Sequence, residues 1–123
     1  MHLFRLHRPA RVALAAVRLV NGGVGLLAPQ LFIRRFDPDR PPSPAAVYAF
    51  RLFGIRTVLI ALDLLRPARA QRAAREGVLI HASDTVTAAS LALSGTVPRN
   101  TGIATTAISA GNVVLAVLAI ERP

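Results

Sequence analysis

The chain contains no cysteine, no tryptophan and no lysine, and each absence removes a class of chemistry. Without cysteine it forms no disulfide, offers no thiolate to a metal and supplies no thiol nucleophile. Three histidines and six carboxylates are the remaining metal-capable side chains. Aromatic residues make up only 5%, too few to interleave with basic residues as stacking platforms. The net charge of +9 therefore does not read as a nucleic-acid footprint, and no nucleic-acid partner is expected. All 15 basic residues are arginine, which together with abundant Ala, Val, Leu and Pro points to a GC-rich bacterial genome.

What is present is apolar: 53% of the 123 residues are hydrophobic and the mean hydropathy is +0.48. Crossing a bilayer takes roughly 20 mostly apolar residues. Four windows meet that length, about 10–28, 44–65, 77–94 and 102–120. The expectation is an all-α integral membrane four-helix bundle, a single four-span domain over residues 1–123. The first window is not a secretory signal, because Arg18 interrupts it and no small-x-small cleavage site follows. Breakers separate the windows: Pro29, "DPDRPPSP", "RPARAQRAARE" and "GTVPRN". A soluble bundle would show broad charged faces, yet residues 77–94 carry only His81 and Asp84 as ionisable groups and residues 102–120 carry none.

Arginines near span ends stay cytoplasmic. Arg5, Arg8, Arg11, Arg66, Arg69, Arg72, Arg75 and Arg122 fall on one side, against Arg34, Arg35, Arg40 and Arg99 on the other. Both termini are thus expected in the cytoplasm of a bacterium, with the protein multi-pass in the inner membrane. Arg66, Arg69, Arg72 and Arg75 in the loop "RPARAQRAARE" set topology and are the candidates for binding anionic lipid headgroups.

The polar residues within the windows fall at one depth. Arg18 and Asn21 lie at the middle of the first, Arg56 of the second, Asp84 of the third and Asn112 of the fourth. Arg18, Gly22 and Gly25 share one helical face, and Thr101, Thr105, Asn112, Ala116 and Ala119 share another. Leu79, Val86 and Leu93 lie opposite Asp84, and Ile103, Val114 and Val117 lie opposite Asn112, so the large apolar side chains are expected to face lipid. The buried polar cluster is accordingly Arg18, Asn21, Arg56, His81, Asp84 and Asn112. Arg56 is expected to pair with Asp84, the one carboxylate at its depth. Either Asp84 also bridges Arg18, or Arg18 meets His81, Asn112, backbone carbonyls, water or a bound anion. Arg51 snorkels outward, and Asp63 lies one turn from Arg66.

His81 and Asp84, three residues apart, could share a metal, but a third ligand is needed and only Asp63 is plausible, so no metal site and no cofactor is expected. No catalytic residue is assigned either: Ser83, Thr85 and Thr87 are hydroxyls of the kind that bond back to the preceding helical turn. Ser83, Thr87, Ser90 and Ser94 recur at helical spacing and read as helix-contact residues.

The stretch "RLFGIRTVLIALDLLR", a basic linker and "REGVLIHASDTVTAASLALSG" resemble small four-helix bacterial membrane proteins of the DoxX-like kind. The resemblance rests on the four-span layout, on Arg51, Gly54 and Arg56 in the second span, and on Asp84. It implies a four-helix bundle acting as an accessory membrane component. Four short helices with scarce aromatic lining also imply little enclosed volume. The expected function is therefore an accessory or lipid-binding subunit of an envelope complex, with anionic lipids and either a protein partner or further copies of the chain around it. The alternative is a membrane enzyme or carrier for a small lipophilic or anionic substrate, with Arg18, Arg56, His81 and Asp84 as its site.

Overall fold

In the computed structural model, which describes residues 6–122, five α-helices form: α1 His7–Leu27, α2 Pro29–Phe36, α3 Pro44–Leu65, α4 Pro67–Ser94 and α5 Arg99–Ala119. Among the described residues there is no strand; Arg5, counted above with the first arginine cluster, lies outside them. Proline stands in the first turn of α2, α3 and α4, where its missing N–H has no intrahelical acceptor to lose. Ser43 caps α3, its Oγ accepting from the Ala46 N–H at 3.1 Å. Gly95, at φ 70°, ends α4 in the left-handed region that suits glycine.

Two expected breaks are helices. Pro29 opens α2 instead of only closing the first window. The basic linker is the first part of α4, a continuous helix of 28 residues. Pro67 starts it, and the run of alanine and arginine behind Pro67 has high helix propensity. Three helices, α1, α3 and α5, are long and apolar enough to cross a membrane. α4 is not one of them, since its first part is basic and His81 and Asp84 interrupt the rest.

α1 packs most extensively on α3 and α4 on α5, and lighter α1–α5 and α3–α4 seams close a ring of four helices. Both heavy seams are antiparallel and built on small residues. Gly22 faces Gly54 and Val58 across α1–α3, and Gly25 faces Phe50 and Phe53. Gly77 faces Ala116 across α4–α5, with Gly102 against Ala92 at the other end. Close approach of this kind is what holds helices together where lipid removes the hydrophobic drive. The α1–α3 contact is backbone on backbone: a Cβ on Gly54 would collide with Leu26 N and lie 2.7 Å from Gly22 O.

At one end of the ring Ala10, Leu14, Ala15, Leu64, Ala73, Ala74, Ala116 and Ala119 form the packed core. The start of α1 meets the segment after α5 there, with His7 Nε2 3.7 Å from Glu121 Oε1. Gln71 joins α4 to α5 by donating to Ala119 O at 3.3 Å and accepting from Glu121 N at 2.7 Å. The outward faces are those the sequence marks: Leu79 is 74% exposed, Leu93 90%, Ile103 54% and Val114 57%. Ser83 and Ser90 are exposed and make no seam. The inward row of α4 is Ala70, Ala73, Ala74, Gly77, His81 and Ala88, one position away from the hydroxyl row.

Candidate functional site: a polar and aromatic chamber between the helices

Above the alanine core the helices part around a cavity of about 330 Å³. The inward row of α1 runs Leu14, Ala15, Arg18, Gly22, Gly25, so the helical repeat that packs the core also delivers the Arg18 guanidinium to the chamber wall. His81 arrives likewise one turn beyond Gly77 on α4, and Ser109 and Asn112 one to two turns before Ala116 on α5. All three polar residues are buried with Arg18. α3 contributes Thr57.

The electrostatic spine is a relay. Arg18 Nη1 donates to His81 Nε2, with Nδ1 farther from the same nitrogen at 3.4 Å. An imidazole nitrogen that accepts from a guanidinium carries a lone pair, so the ring is neutral and its proton sits on Nδ1. Nδ1 lies 3.6 Å from Asp84 Oδ2, and the Asp84 side chain is 48% exposed at the chamber rim. The Arg18 Nε is buried and has no hydrogen-bond partner. Thr85 donates from Oγ1 to His81 O at 2.6 Å, the backward bond expected of a helical hydroxyl.

The other half of the wall is aromatic. Phe32 and Phe36 of α2 and Phe50 and Phe53 of α3 line it. Phe32 stacks on Phe50 with centroids 5.7 Å apart and meets Phe53 edge-on at 6.4 Å, while Phe36 lies 6.0 Å from Phe50. Arg35 stands at the rim; its carbonyl accepts from Thr101 Oγ1 at 3.0 Å, tying α2 to the start of α5.

Of the expected cluster, Arg18, Asn21, His81, Asp84 and Asn112 share this chamber. Arg56 does not. It is exposed on the outer face of α3 and makes no ion pair with Asp84. Depth alone suggested the pair, whereas the helical face decides it. The inward row of α3 is Gly54, Thr57, Ala61 and Leu64, and at about 100° per residue Arg56 turns away from that row. Arg51 is also exposed, as expected. Asp63, the suggested third metal ligand, is at the opposite end, 3.5 Å from Arg66 and 3.3 Å from Arg69. Among the described residues no three His, Asp or Glu side chains gather to hold a metal.

The four arginines of the basic segment are exposed along the first part of α4. Asp63 serves Arg66 and Arg69, and Glu76 accepts from Arg72 Nε at 2.8 Å. That hydrogen bond raises the Arg72 pKa above its ordinary value. Arg75 has no acidic partner among the described residues.

Sequence reasoning missed the aromatic wall. Four of the five phenylalanines gather here, so scarcity over the whole chain says nothing of density at one place. The usable signal is their spacing: Phe32–Phe36 at i, i+4 and Phe50–Phe53 at i, i+3 each put two rings on one helical face. No family model matches the chain, and neither a curated protein nor a solved structure matches it.

Proposed function

We propose that the chain is a small multi-pass protein of the bacterial inner membrane that binds a small lipophilic, polar-ended molecule between its helices, as a binding component or carrier. The chamber carries this proposal: about 330 Å³ walled on one side by four phenyl rings and on the other by Arg18, His81 and Asn112. Ligand sites have this constitution, an apolar enclosure with a few convergent polar groups, and this volume is at the small end of their range. The half-open chamber favours this reading over the purely accessory role that little enclosed volume would suggest. Four spans are proposed, α1, α3, α5 and the apolar part of α4. α4 lies antiparallel along α5 from Gly77–Ala116 to Ala92–Gly102, so a crossing α5 takes this segment across with it. Both ends of the described chain are placed in the cytoplasm with Arg8, Arg11, Arg66, Arg69, Arg72, Arg75 and Arg122, and anionic headgroups are assigned to the exposed arginines of α4. A periplasm-active reporter fused after Arg40 is expected to be active, and one fused after Arg72 silent; the reverse pattern inverts the orientation. The DoxX-like kinship is retained as a proposal about layout.

The test of binding is native mass spectrometry of the full chain extracted in mild detergent. A small-molecule adduct is expected on the wild type and absent from Ala88→Phe, which fills the chamber from its wall. Adducts that persist in Ala88→Phe place the ligand elsewhere, and a wild type that is bare in every extract contradicts the proposal.

A second role, as a subunit of a larger assembly, is favoured by Arg56. It stands near the middle of α3, exposed between the exposed Ile55 and Leu59, where contact with lipid costs about 2.5–3.5 kcal/mol. A covering protein or second copy would remove that cost. Leu59→Cys introduces the sole thiol, and crosslinking from it in membranes is expected to give a discrete adduct. A free monomer alone would oppose the role.

A further inference from the structure

Arg18 has more hydrogen-bonding capacity than the protein uses. It is 4% exposed, and a cation so enclosed needs acceptors for its N–H groups. Nη1 is engaged with His81 Nε2. Nε is shut off from solvent with no partner, and Nη2 takes no protein acceptor among the described residues. The chamber's carboxylate, Asp84, stands behind the His81 ring at Nδ1 and makes no hydrogen bond to Arg18. With Nη1 occupied and Nε closed off, the donor left for a ligand is Nη2, a charge-assisted partner for an oxygen of a carboxylate.

The charges on the wall select among anions. Arg18 and Arg35 are positive, Asp84 is negative and His81 is neutral by its bond to Arg18, which leaves one positive charge. One negative charge balances it, whereas a doubly charged phosphate would leave an excess in a partly desolvated space. Asn21 and Asn112 add amide donors to the chamber wall, and the phenyl rings receive an apolar body. A cavity of about 330 Å³ matches a compact molecule.

We infer that the chamber's ligand is a compact, singly charged carboxylic acid, its carboxylate accepting from Arg18 Nη2 and its apolar body among Phe32, Phe36, Phe50 and Phe53. The inference rests on the proposed binding function and names the ligand's chemical class. It is tested with the full chain in nanodiscs, against empty discs, by displacement of tritiated 4-phenylbutyrate and, for the variants, also by direct binding of tritiated 4-phenylbutanol. The competitors are 4-phenylbutyrate itself, 4-phenylbutanol, methyl 4-phenylbutyrate and 4-phenylbutyl phosphate. The acid is expected to bind at least tenfold tighter than the alcohol, the ester and the phosphate. Arg18→Gln is expected to weaken the acid at least tenfold and leave the alcohol unchanged. Should Arg18→Gln not fold, Asn112→Asp, which cancels the net positive charge while keeping Arg18, is expected to reject the acid and keep the alcohol. Equal binding of acid and alcohol, preference for the phosphate, or indifference of the acid to both variants overturns the carboxylate assignment and leaves the chamber as a binding site. Saturable binding of none of the four overturns the assignment and the binding function together.

Discussion

The two ends of the helix ring solve the same packing problem in opposite ways. At the end where α1 begins and α5 closes, the buried inward positions are alanine or leucine: Ala10, Leu14, Ala15, Leu64, Ala73, Ala74, Ala116 and Ala119. At the other, the same helical rows continue into Arg18, His81 and Asn112, and the helices stand apart around a chamber. Helices in lipid associate through van der Waals contact of close-fitting surfaces; at the alanine end all four long helices share one such core, whereas beside the chamber close packing is confined to the α1–α3 and α4–α5 seams. Between those seams stand polar groups that a bundle built only for stability would replace with apolar ones. α2 belongs to this economy: its Phe32 and Phe36 cover an opening that the four long helices leave.

Three tests sharpen the comparison, the largest effect first. Gly54→Leu drives a side chain into the backbone of Leu26 and Gly22 and is expected to cost about 3 kcal/mol or more, read as loss of the folded band during SDS titration. Gly111→Ala, with nothing within 4 Å of its added Cβ, is the control and should be neutral or slightly stabilising. If the two behave alike, the backbone contact between α1 and α3 does not hold the bundle. Next, Leu64→Ala at the packed end is expected to destabilise by about 2 kcal/mol, the low side of the usual range because lipid removes the water-transfer part. Phe50→Ala in the chamber should cost less than half of that, since a void already adjoins it; the reverse order would mean the rings are core and the chamber incidental. Last, Arg18→Met is expected to leave the unfolding midpoint within about 1 kcal/mol of wild type or to raise it, because a partly unsatisfied buried cation is exchanged for an apolar side chain of similar length. A loss comparable to that of Leu64→Ala would make Arg18 a structural keystone.

Much of this architecture is legible in the residues, wherever size and polarity point the same way. The outward Leu79, Val86, Leu93, Ile103 and Val114 and the inward Arg18–Gly22–Gly25 row follow from helical spacing because large apolar and small or polar residues fall on opposite sides. The Asp63–Arg66 contact follows from their separation by one turn. α3 resisted the same reasoning. It is apolar around most of its circumference, so its face is chosen by Gly54, Thr57 and Ala61, which let neighbours close in, and not by the charge that draws the eye at Arg56. Pro67 and Pro29 read as breaks because proline ends a helix from within, yet at the first turn it begins one. The chamber itself is a tertiary product, since no stretch of sequence brings Phe32, Phe50, His81 and Asn112 together.

The joint between α3 and α4 has a mechanical meaning. A single residue, Arg66, ends one helix and begins the next, and the ring of Pro67 holds it extended at φ −92°, ψ 119°. α1 and α3 are pressed together at Gly22, Gly25 and Gly54, α4 and α5 at Gly77–Ala116 and Ala92–Gly102, so the bundle is two planks with the chamber between them. On the α3–α4 side those planks share a pivot at Arg66, clasped by Asp63 to Arg66 and Arg69. Any widening there follows a scissor path. The blades part least at the alanine end and most near Phe53, Asp84 and Leu91, so a molecule wider than the resting chamber would be admitted from the end away from the pivot.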